Sequence, residues 1–439
     1  MCIRDRVIID EISMVRADII DAIDRILRVY SHNLREPFGG KQLLLVGDVF
    51  QLEPVVKNDE REILNRFYPT PYFFSARVFG QIDLVSIELQ KVYRQTDPVF
   101  VGVLDHIRNN TAGAADLQLL NTRYGSQIEE SEADMYITLA TRRDTVDSIN
   151  EKKLAELPGD PITFEGVIEG DFPESSLPTS QELVLKPGAQ IIFIKNDFDR
   201  RWVNGTIGVI AGIDEEEETI YVITDDGKEC DVKRESWRNI RYRYNEKTKE
   251  IEEEVLGSFT QYPIRLAWAI TVHKSQGLTF SRVVIDFTGG VFAGGQAYVA
   301  LSRCTSLDGI QLKKPINRAD VFVRPEIVNF AGRFNDRQAI DKALKQAQAD
   351  VQYAAASRAF DKGDMEECLE QFFRAIHSRY DIEKSVPRRF IRRKLGVINT
   401  LKEQNKKLKE QMREQQERLR QYAHEYLLMG NECITQAHD

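Results

Sequence analysis

Long apolar runs, paired cysteines and an excess of basic residues are all missing from this sequence of 439 residues. Since a membrane-crossing helix needs about 20 mostly apolar residues, we expect no transmembrane segment and no membrane partner. The five cysteines are scattered without C-x-x-C spacing, which argues against a zinc site or a disulfide framework and favours a reducing, cytoplasmic setting. The formal net charge is −9, which argues against a uniformly basic nucleic-acid coat, although a local basic groove is compatible with it.

A phosphate-binding loop of the form G-x-x-x-x-G-K-[ST] is also missing. Such a loop supplies backbone N–H groups, a lysine and a hydroxyl to a nucleotide and its Mg²⁺. The nearest approach, Gly39-Gly40-Lys41, lacks the following Ser or Thr. Any nucleotide site in residues 1–439 must therefore be recognised from other groups.

Two short apolar segments near the start are each followed by polar side chains. Val7–Ile9 leads to Asp10 and Glu11, and Leu43–Val46 leads to a turn that contains Gln51. Both segments are predicted to be buried parallel strands, and open α/β sheets bind ligands at the carboxyl ends of their strands. The sequence therefore predicts one shared crevice at this edge.

The residue types at this edge suit nucleotide hydrolysis. Asp10 is placed to hold Mg²⁺ through water, and Glu11 to orient or deprotonate an attacking water. Gln51 is suited to contact a γ-phosphate or that water. The alternative for the two acids is structural, because carboxylates also stabilise the start of a following helix.

A polar loop between two apolar runs carries a second concentration of functional groups. It contains Thr271, His273, Lys274, Ser275, Gln276 and Gly277. Lysine, serine and free backbone N–H groups bind phosphates, and a glycine lets a ligand approach the backbone. The alternative is a polar turn between two core elements.

Two arginines complete the candidate set. Arg94 lies in the segment Val92–Pro98, where it is suited either to a phosphate or to a structural salt bridge. Arg303 is predicted near the end of a helix, a suitable position for an arginine finger that stabilises transition-state charge.

The remaining chain divides by pattern. Residues 160–185 are rich in Pro, Ser and acids and are predicted to be a loop. Gln190–Lys195, Gly208–Ile213 and Thr219–Thr224 are predicted to form a small antiparallel β module. Within it, Trp202 is either a stacking surface for a nucleic acid strand or a packed core residue.

The C-terminal part is predicted to be helical. Residues 336–395 have the spacing of a helical hairpin. From Ile398 to Tyr426 an unbroken heptad stripe follows, with Asn405 at an a-type position. A buried Asn there favours two-stranded pairing, so we expect a coiled coil over residues 396–430 and a homodimer through it; the alternative is a charged helix that packs on its own domain.

Taken in order, five segments resemble motifs of the Pif/RecD branch of superfamily 1 DNA helicases. They are Asp10–Met14 (motif II), Gly47–Pro54 (motif III), Tyr93–Gln95 (motif IV), Thr271–Phe280 (motif V) and Val299–Arg303 (motif VI). Val203–Gly208 is similar to the segment that opens the small β-barrel of that branch. One departure within the motifs is Glu53, which stands where a proline is usual.

The resemblance implies an α/β fold with two RecA-like P-loop NTPase domains, a small inserted β-barrel and a C-terminal helical and coiled-coil tail. It places a remnant of the first motor domain at residues 1–90. The second motor domain then covers 91–335, with the barrel at about 186–262.

The resemblance also implies ATP and Mg²⁺ as cofactors and 5′ to 3′ movement on single-stranded DNA. The motif V loop would contact DNA through Thr271, His273, Lys274, Ser275 and Gln276. The nucleotide would be held by Asp10, Glu11, Gln51, Arg94, Gly277 and Arg303.

Because the phosphate loop should precede motif II, we expect a fragment, with a boundary at Met1–Arg6, that is unable to hydrolyse ATP alone. One alternative is a non-catalytic DNA-binding or assembly subunit that acts through its coiled coil. Another is a motor that acts on RNA, which no residue pattern excludes.

Overall fold

The computed structural model describes residues 6–126, 135–245, 250–378 and 385–436. The chain forms two compact units, one of residues 1–82 with 89–333 and one of residues 83–88 with 334–439. None of the helices within these described ranges is both long and apolar enough to cross a membrane. All but Arg6 of the predicted boundary segment Met1–Arg6 lies outside the described residues.

The first unit opens with a two-stranded parallel sheet and two helices. They are β1 (Arg6–Ile9), α1 (Ala17–Tyr30), β2 (Gln42–Leu45) and α2 (Asn58–Phe67). The predicted parallel strands are confirmed, but their predicted full burial is wrong, since Ile8 is 63% and Leu44 46% exposed. Successive strand residues point to opposite faces, and only the face with Val7 and Ile9 is half-buried.

A four-stranded parallel sheet forms the core of the first unit. Its order is β14 (Ala269–Thr271), β3 (Ile137–Ala140), β15 (Val283–Asp286) and β16 (Ile310–Leu312). The helices of this part are α3 (Pro98–Arg108), α4 (Ala114–Asn121), α5 (Arg143–Glu156), α6 (Gln296–Ser302) and α7 (Pro325–Ala331). The strand residues Leu139, Val283 and Ile285 are buried with Val299 and Leu301 of α6 in one apolar cluster. The sheet thereby places the loops after β3, β14 and β15 along one edge.

Ten mostly antiparallel strands lie between α5 and β14. They are β4 (Ile162–Glu165), β5 (Val167–Gly170), β6 (Glu182–Leu185), β7 (Gln190–Phe193), β8 (Ile207–Asp214), β9 (Thr219–Thr224), β10 (Glu229–Val232), β11 (Glu235–Asn245), β12 (Glu250–Gln261) and β13 (Ile264–Leu266). They pair as sheets β10-β9-β8-β7-β13, β11-β12-β5 and β4-β6. The three predicted strands are confirmed.

The predicted loop at 160–185 is wrong in part, because β4, β5 and β6 lie within it. Local composition could not indicate β5, because its partner β12 is almost 90 residues away in sequence, as in Ser258↔Glu169. The strands β4 and β6 pair with each other within the segment. For Trp202 the core alternative is confirmed. Its ring stacks on Phe193 at 4.4 Å and is 5% exposed, while Arg201 pairs with Asp197 at 2.9 Å.

The second unit is helical and comprises α8 (Arg337–Asp361), α9 (Met365–Ser378) and α10 (Ser385–Gln436). Tyr353 of α8 meets Phe372 of α9 edge to face at 5.4 Å, as expected for a helical hairpin. Ile398 of α10 is buried in one apolar cluster with residues of α8 and α9. The heptad positions that follow are exposed, with Leu408 at 56% and Leu419 at 66%.

Candidate active site

Asp10 and Glu11 leave β1 through a strained turn. Glu11 has φ 50° and ψ 45°, a left-handed conformation that costs a non-glycine residue roughly 1–2 kcal/mol. Its N–H donates to Asp10 Oδ1 at 2.9 Å. The Ile12 N–H donates to the Val46 carbonyl at 3.0 Å, which ties this turn to the end of β2. Both carboxylates are therefore fixed at the carboxyl edge of the sheet, as predicted from the sequence.

The loop after β2 is held by Asp48 and Arg108. Asp48 Oδ1 accepts from the Phe50 N–H at 3.1 Å and from Arg108 Nη2 at 3.4 Å. The Arg108 guanidinium also lies 4.5 Å from the centre of the Phe50 ring. These contacts fix the turn that carries Gln51, whose N–H donates to the Asp48 carbonyl at 3.0 Å.

Gln276 joins the loop after β14 to both of these turns. Its Nε2 donates to Glu11 Oε2 at 3.0 Å and to Gln51 Oε1 at 3.2 Å. Its own Oε1 is buried and has no hydrogen-bond partner in the part of the chain that the structure describes. The residue was predicted on the DNA side, yet its amide lies against the two groups that the sequence assigns to nucleotide hydrolysis.

Arg303 lies at the end of α6 and is 1% exposed. Its Nε donates to the Val299 carbonyl at 3.1 Å and its Nη1 to the Leu278 carbonyl at 3.2 Å. Among the described residues it has no carboxylate ion pair. Burial and the charge of Arg94 lower the pKa of Arg303 to about 10, against the smaller raising influences of Tyr298, Glu11 and Asp48. Two adjacent guanidiniums that lack carboxylate partners are suited to an anion such as a phosphate.

Gln95 positions the turn that carries Arg303. Its buried Nε2 donates to the carbonyls of Ser302 at 3.0 Å and Cys304 at 2.9 Å. Arg94 Nη1 donates to the same Ser302 carbonyl at 3.2 Å. The sequence reasoning gave Gln95 no role; the available signal was its place directly after Arg94 in a recognised motif.

The other predicted DNA-contacting residues differ in accessibility. Ser275 is fully buried and its Oγ donates to the Val272 carbonyl at 2.8 Å. His273 stacks on Phe292 at 6.4 Å, and burial lowers its pKa. The Thr271 Oγ1 accepts from the Lys274 N–H at 3.3 Å. Within this loop Lys274 and Gly277 are exposed.

Glu53, which replaces the usual proline, forms a contact of its own. It accepts from the Tyr72 hydroxyl at 2.8 Å and pairs with Arg324 Nε at 3.4 Å. Burial, followed by the charge of Glu53, raises the pKa of Tyr72. The substitution therefore links the motif III turn to the segment before α7.

The donor set fits a Mg²⁺-nucleotide. Within the described residues no three His, Cys, Asp or Glu side chains converge on one point. Mg²⁺ is commonly bound by one or two carboxylates together with substrate phosphates, and Asp10 and Glu11 supply that number. The unpaired charges of Arg94 and Arg303 suit the phosphates, and the exposed Gly277 leaves room beside its backbone.

The backbone at Gly295, directly before α6, lies close to the backbone of the motif III turn. Gly295 has φ +78°, and a Cβ there would lie 2.2 Å from the Phe50 carbonyl and 2.6 Å from that of Gln51. Gly295→Ala should therefore destabilise the protein by about 1–3 kcal/mol, measured as a lower Tm in thermal denaturation. Gly290→Ala is the matched control, because Gly290 has φ +80° with nothing within 4 Å. Equal Tm losses would show that the approach is unimportant.

Comparison with known proteins agrees with this geometry. Residues 3–107 match the model of the family described as PIF1-like helicase. The "ATP-dependent DNA helicase Pif1" of Campylobacter jejuni is 33% identical over 320 residues, which cover 70% of this chain and 68% of that protein. The human "ATP-dependent DNA helicase PIF1" is 34% identical over 313 residues, which cover 70% of this chain and 46% of that protein. The chain thus spans about half the length of the human relative.

Solved structures give the same result. A Bacteroides Pif1 bound to single-stranded DNA has 39% identity and a TM-score of 0.61, with 76% of each chain covered. A Bacteroides Pif1 in complex with ADP-AlF4 has 40% identity and a TM-score of 0.64, covering 75% of this chain and 74% of that one. The predicted resemblance is confirmed, and the chain belongs to the Pif1-like helicase family.

Proposed function

We propose that this chain carries the motor of an ATP-dependent DNA helicase that moves 5′ to 3′ on single-stranded DNA. The observation that carries the proposal is Gln276, because its amide connects the loop with the exposed Lys274 to Glu11 and Gln51. A DNA strand bound at this loop would influence Glu11 and Gln51 through the side chain of Gln276. The related Bacteroides Pif1 structures, one bound to single-stranded DNA and one in complex with ADP-AlF4, support the same ligands.

The hydrolytic roles follow from the chemistry of each group. Asp10 and Glu11 would hold Mg²⁺, which when bound neutralises charge on the phosphate oxygens. Glu11 also orients and deprotonates the attacking water, and Gln51 assists in placing it. Arg94 and Arg303 stabilise the charge that develops on the transferred phosphoryl group.

The domain assignments are part of the same proposal. The four-stranded parallel sheet with its helices is the second RecA-like domain, over about residues 91–335, and residues 1–90 belong to the first. The antiparallel strands from β7 to β12 correspond to the small inserted barrel proposed at about 186–262.

This function is tested by measuring ATP hydrolysis with the complete gene product. We expect single-stranded oligo(dT) to stimulate hydrolysis strongly, and a partial duplex with a 5′ overhang to be unwound. Stimulation by an RNA strand alone would instead favour an RNA motor. DNA binding without any hydrolysis would favour the non-catalytic alternative.

We further propose that α10 pairs with α10 of a second copy. The stripe residues Leu408, Met412, Leu419, Tyr422 and Tyr426 are all more than half exposed. Only the first stripe residue, Ile398, is buried within its own unit. A two-stranded coiled coil would remove the exposed residues from water and place Asn405 opposite its own copy.

Sedimentation equilibrium provides the test of this pairing. Leu408→Glu should convert a dimer into a monomer at micromolar concentration, since a charge at a core heptad position is costly to bury. Lys406→Glu, two residues away on the outer face of the heptad, should leave the dimer intact. A wild-type monomer across that concentration range would contradict the proposal.

A further inference from the structure

Glu11 and Gln51, the two groups assigned to the attacking water, share one hydrogen-bond donor. Glu11 Oε2 accepts from the Nε2 of Gln276 at 3.0 Å, and Gln51 Oε1 accepts from the same atom at 3.2 Å. Among the described residues no other side chain donates to either oxygen. The Gln276 nitrogen therefore lies within hydrogen-bond distance of both groups at once, which is the place that a water held by the pair would take.

The amide of Gln276 imitates such a water without its reactivity. Both neighbouring oxygens are acceptors, so the NH2 end of the amide must face them, and its two hydrogens serve them as the two hydrogens of a water would. The amide nitrogen, however, shares its lone pair with the carbonyl group and is not a nucleophile. While the amide stays in this place, Glu11 and Gln51 are occupied and cannot hold a water between them.

Few other contacts hold Gln276 in this position. Its Oε1 is buried without a partner in the described part of the chain, which makes the arrangement costly. Its backbone N–H makes one long bond, to the His273 carbonyl at 3.4 Å. The next residue, Gly277, has φ +80° and nothing within 4 Å of a Cβ placed there. The side chain is thus held mainly by Glu11 and Gln51, and the turn beside it has room to move.

The same turn presents a cation to a DNA strand. Lys274, two residues before Gln276, is exposed. Ser275 between them is buried, and its Oγ donates to the Val272 carbonyl at 2.8 Å. A strand that attracts Lys274 therefore acts on a short turn that is anchored at Ser275. A rotation of the turn about this anchor changes the position of Gln276, because the two residues are adjacent in sequence.

We propose that Gln276 suppresses ATP hydrolysis in the absence of DNA by occupying the place of the attacking water, and that a bound DNA strand withdraws it. The inference rests on the proposed function and adds the regulation of that same site. It reverses the simpler expectation, in which Gln276 holds Glu11 and Gln51 in an active arrangement. The two roles differ in sign, since removal of a blocking side chain raises hydrolysis and removal of a supporting one lowers it.

ATP hydrolysis by the complete gene product gives the first readout. Gln276→Ala should raise the rate without DNA about tenfold, as expected when a hydrogen bond to a charged group is removed. With saturating oligo(dT) the rate should equal that of wild type, because the strand has already withdrawn the side chain there. The stimulation by DNA should fall accordingly. A rate below wild type without DNA would show that Gln276 supports Glu11, and it would overturn the proposal.

Binding of labelled oligo(dT) in the absence of nucleotide gives a second readout, independent of hydrolysis. If the strand must break the two bonds of Gln276 in order to bind, Gln276→Ala removes that cost, and the affinity should rise about tenfold by linkage. A lower affinity would show that Gln276 itself contacts the DNA. An unchanged affinity would show that the strand does not move the side chain. Either result overturns the proposal.

Two further variants separate the block from an effect on folding. Gln276→Asn keeps the amide but is one methylene shorter, so it cannot reach both oxygens and should raise the rate without DNA as Gln276→Ala does. Gln261→Ala is the matched control, because Gln261 is also a buried amide whose Nε2 donates twice, to the Phe164 carbonyl at 2.9 Å and the Gln181 carbonyl at 3.0 Å. It should lower Tm and leave hydrolysis and oligo(dT) affinity unchanged. An equal rise of the rate without DNA in Gln261→Ala would assign the effect to a loosened fold and refute the block.

The wild type separates this proposal from the function on which it rests. If oligo(dT) binds and stimulates hydrolysis, and Gln276→Ala matches the wild type in both readouts, only the role of Gln276 is refuted. If oligo(dT) neither binds to the wild type nor stimulates its hydrolysis, the proposed function fails, and the regulation fails with it.

Discussion

Glu11→Gln should reduce the rate of ATP hydrolysis by about 10²–10⁴-fold, the usual contribution of a positioned general base. Glutamine has the shape of glutamate but cannot take a proton from water. The local structure should persist, because the new side-chain carbonyl can still accept the bond that Gln276 now donates to Glu11 at 3.0 Å. Binding of oligo(dT) and of nucleotide is therefore expected to be retained.

Steady-state hydrolysis with saturating oligo(dT), together with anisotropy for DNA binding, measures both halves of this expectation. Glu62→Gln is the control for the same chemical change at an exposed position on α2, and it should behave as wild type. Hydrolysis within a few-fold of wild type in Glu11→Gln would show that another group activates the water. Loss of DNA binding in the same variant would point instead to a structural role for Glu11.

The order of the motifs allowed candidate catalytic side chains to be proposed before their positions were known. Asp10, Glu11, Arg94 and Arg303 were singled out as charged groups at strand ends or in recognised motifs. The structure joins two of them to the motif V loop, Glu11 through the Gln276 amide and Arg303 through the Leu278 carbonyl. Local patterns were sufficient here because each group lies directly beside a short apolar segment. Strands with an alternating or continuous apolar pattern, such as β7 and β9, were found for the same reason.

What the sequence could not give are contacts between distant segments. Gln276 and Glu11 are 265 residues apart, and no local pattern indicates that the amide of one meets the carboxylate of the other. The contact of Arg108 with Asp48 likewise joins residues that are 60 positions apart. Exposure follows the same rule, since the burial of Ile8 depends on what covers the strand rather than on the apolar character of the strand itself.

Arg303→Lys should cause the largest loss, about 10³–10⁵-fold in ATP hydrolysis, which is the range known for arginine fingers. Lysine keeps the positive charge but lacks the planar fork that binds two oxygens at once. The existing bonds of Arg303 go to backbone carbonyls and to the Ser302 hydroxyl, with no carboxylate among them. Its charge is therefore not consumed by a structural ion pair and is available to phosphate oxygens.

The variant Arg123→Lys measures separately how much of the effect of Arg303→Lys comes from lost structural contacts. Arg123 also donates to backbone carbonyls, through Nε to Ile310 at 2.9 Å and through Nη2 to Asp308 at 2.6 Å, but it does not belong to the Glu11 site. Both variants should lower Tm by a few degrees, and only Arg303→Lys should lose hydrolysis while its oligo(dT) affinity stays close to wild type. If the two variants lose activity and Tm in parallel, Arg303 supports the fold of the site. If only Arg303→Lys loses activity, its guanidinium acts on the phosphates, because Arg123 shares the backbone-carbonyl contacts of Arg303 but is paired with Asp308 at 3.5 Å, whereas Arg303 has no carboxylate partner among the described residues.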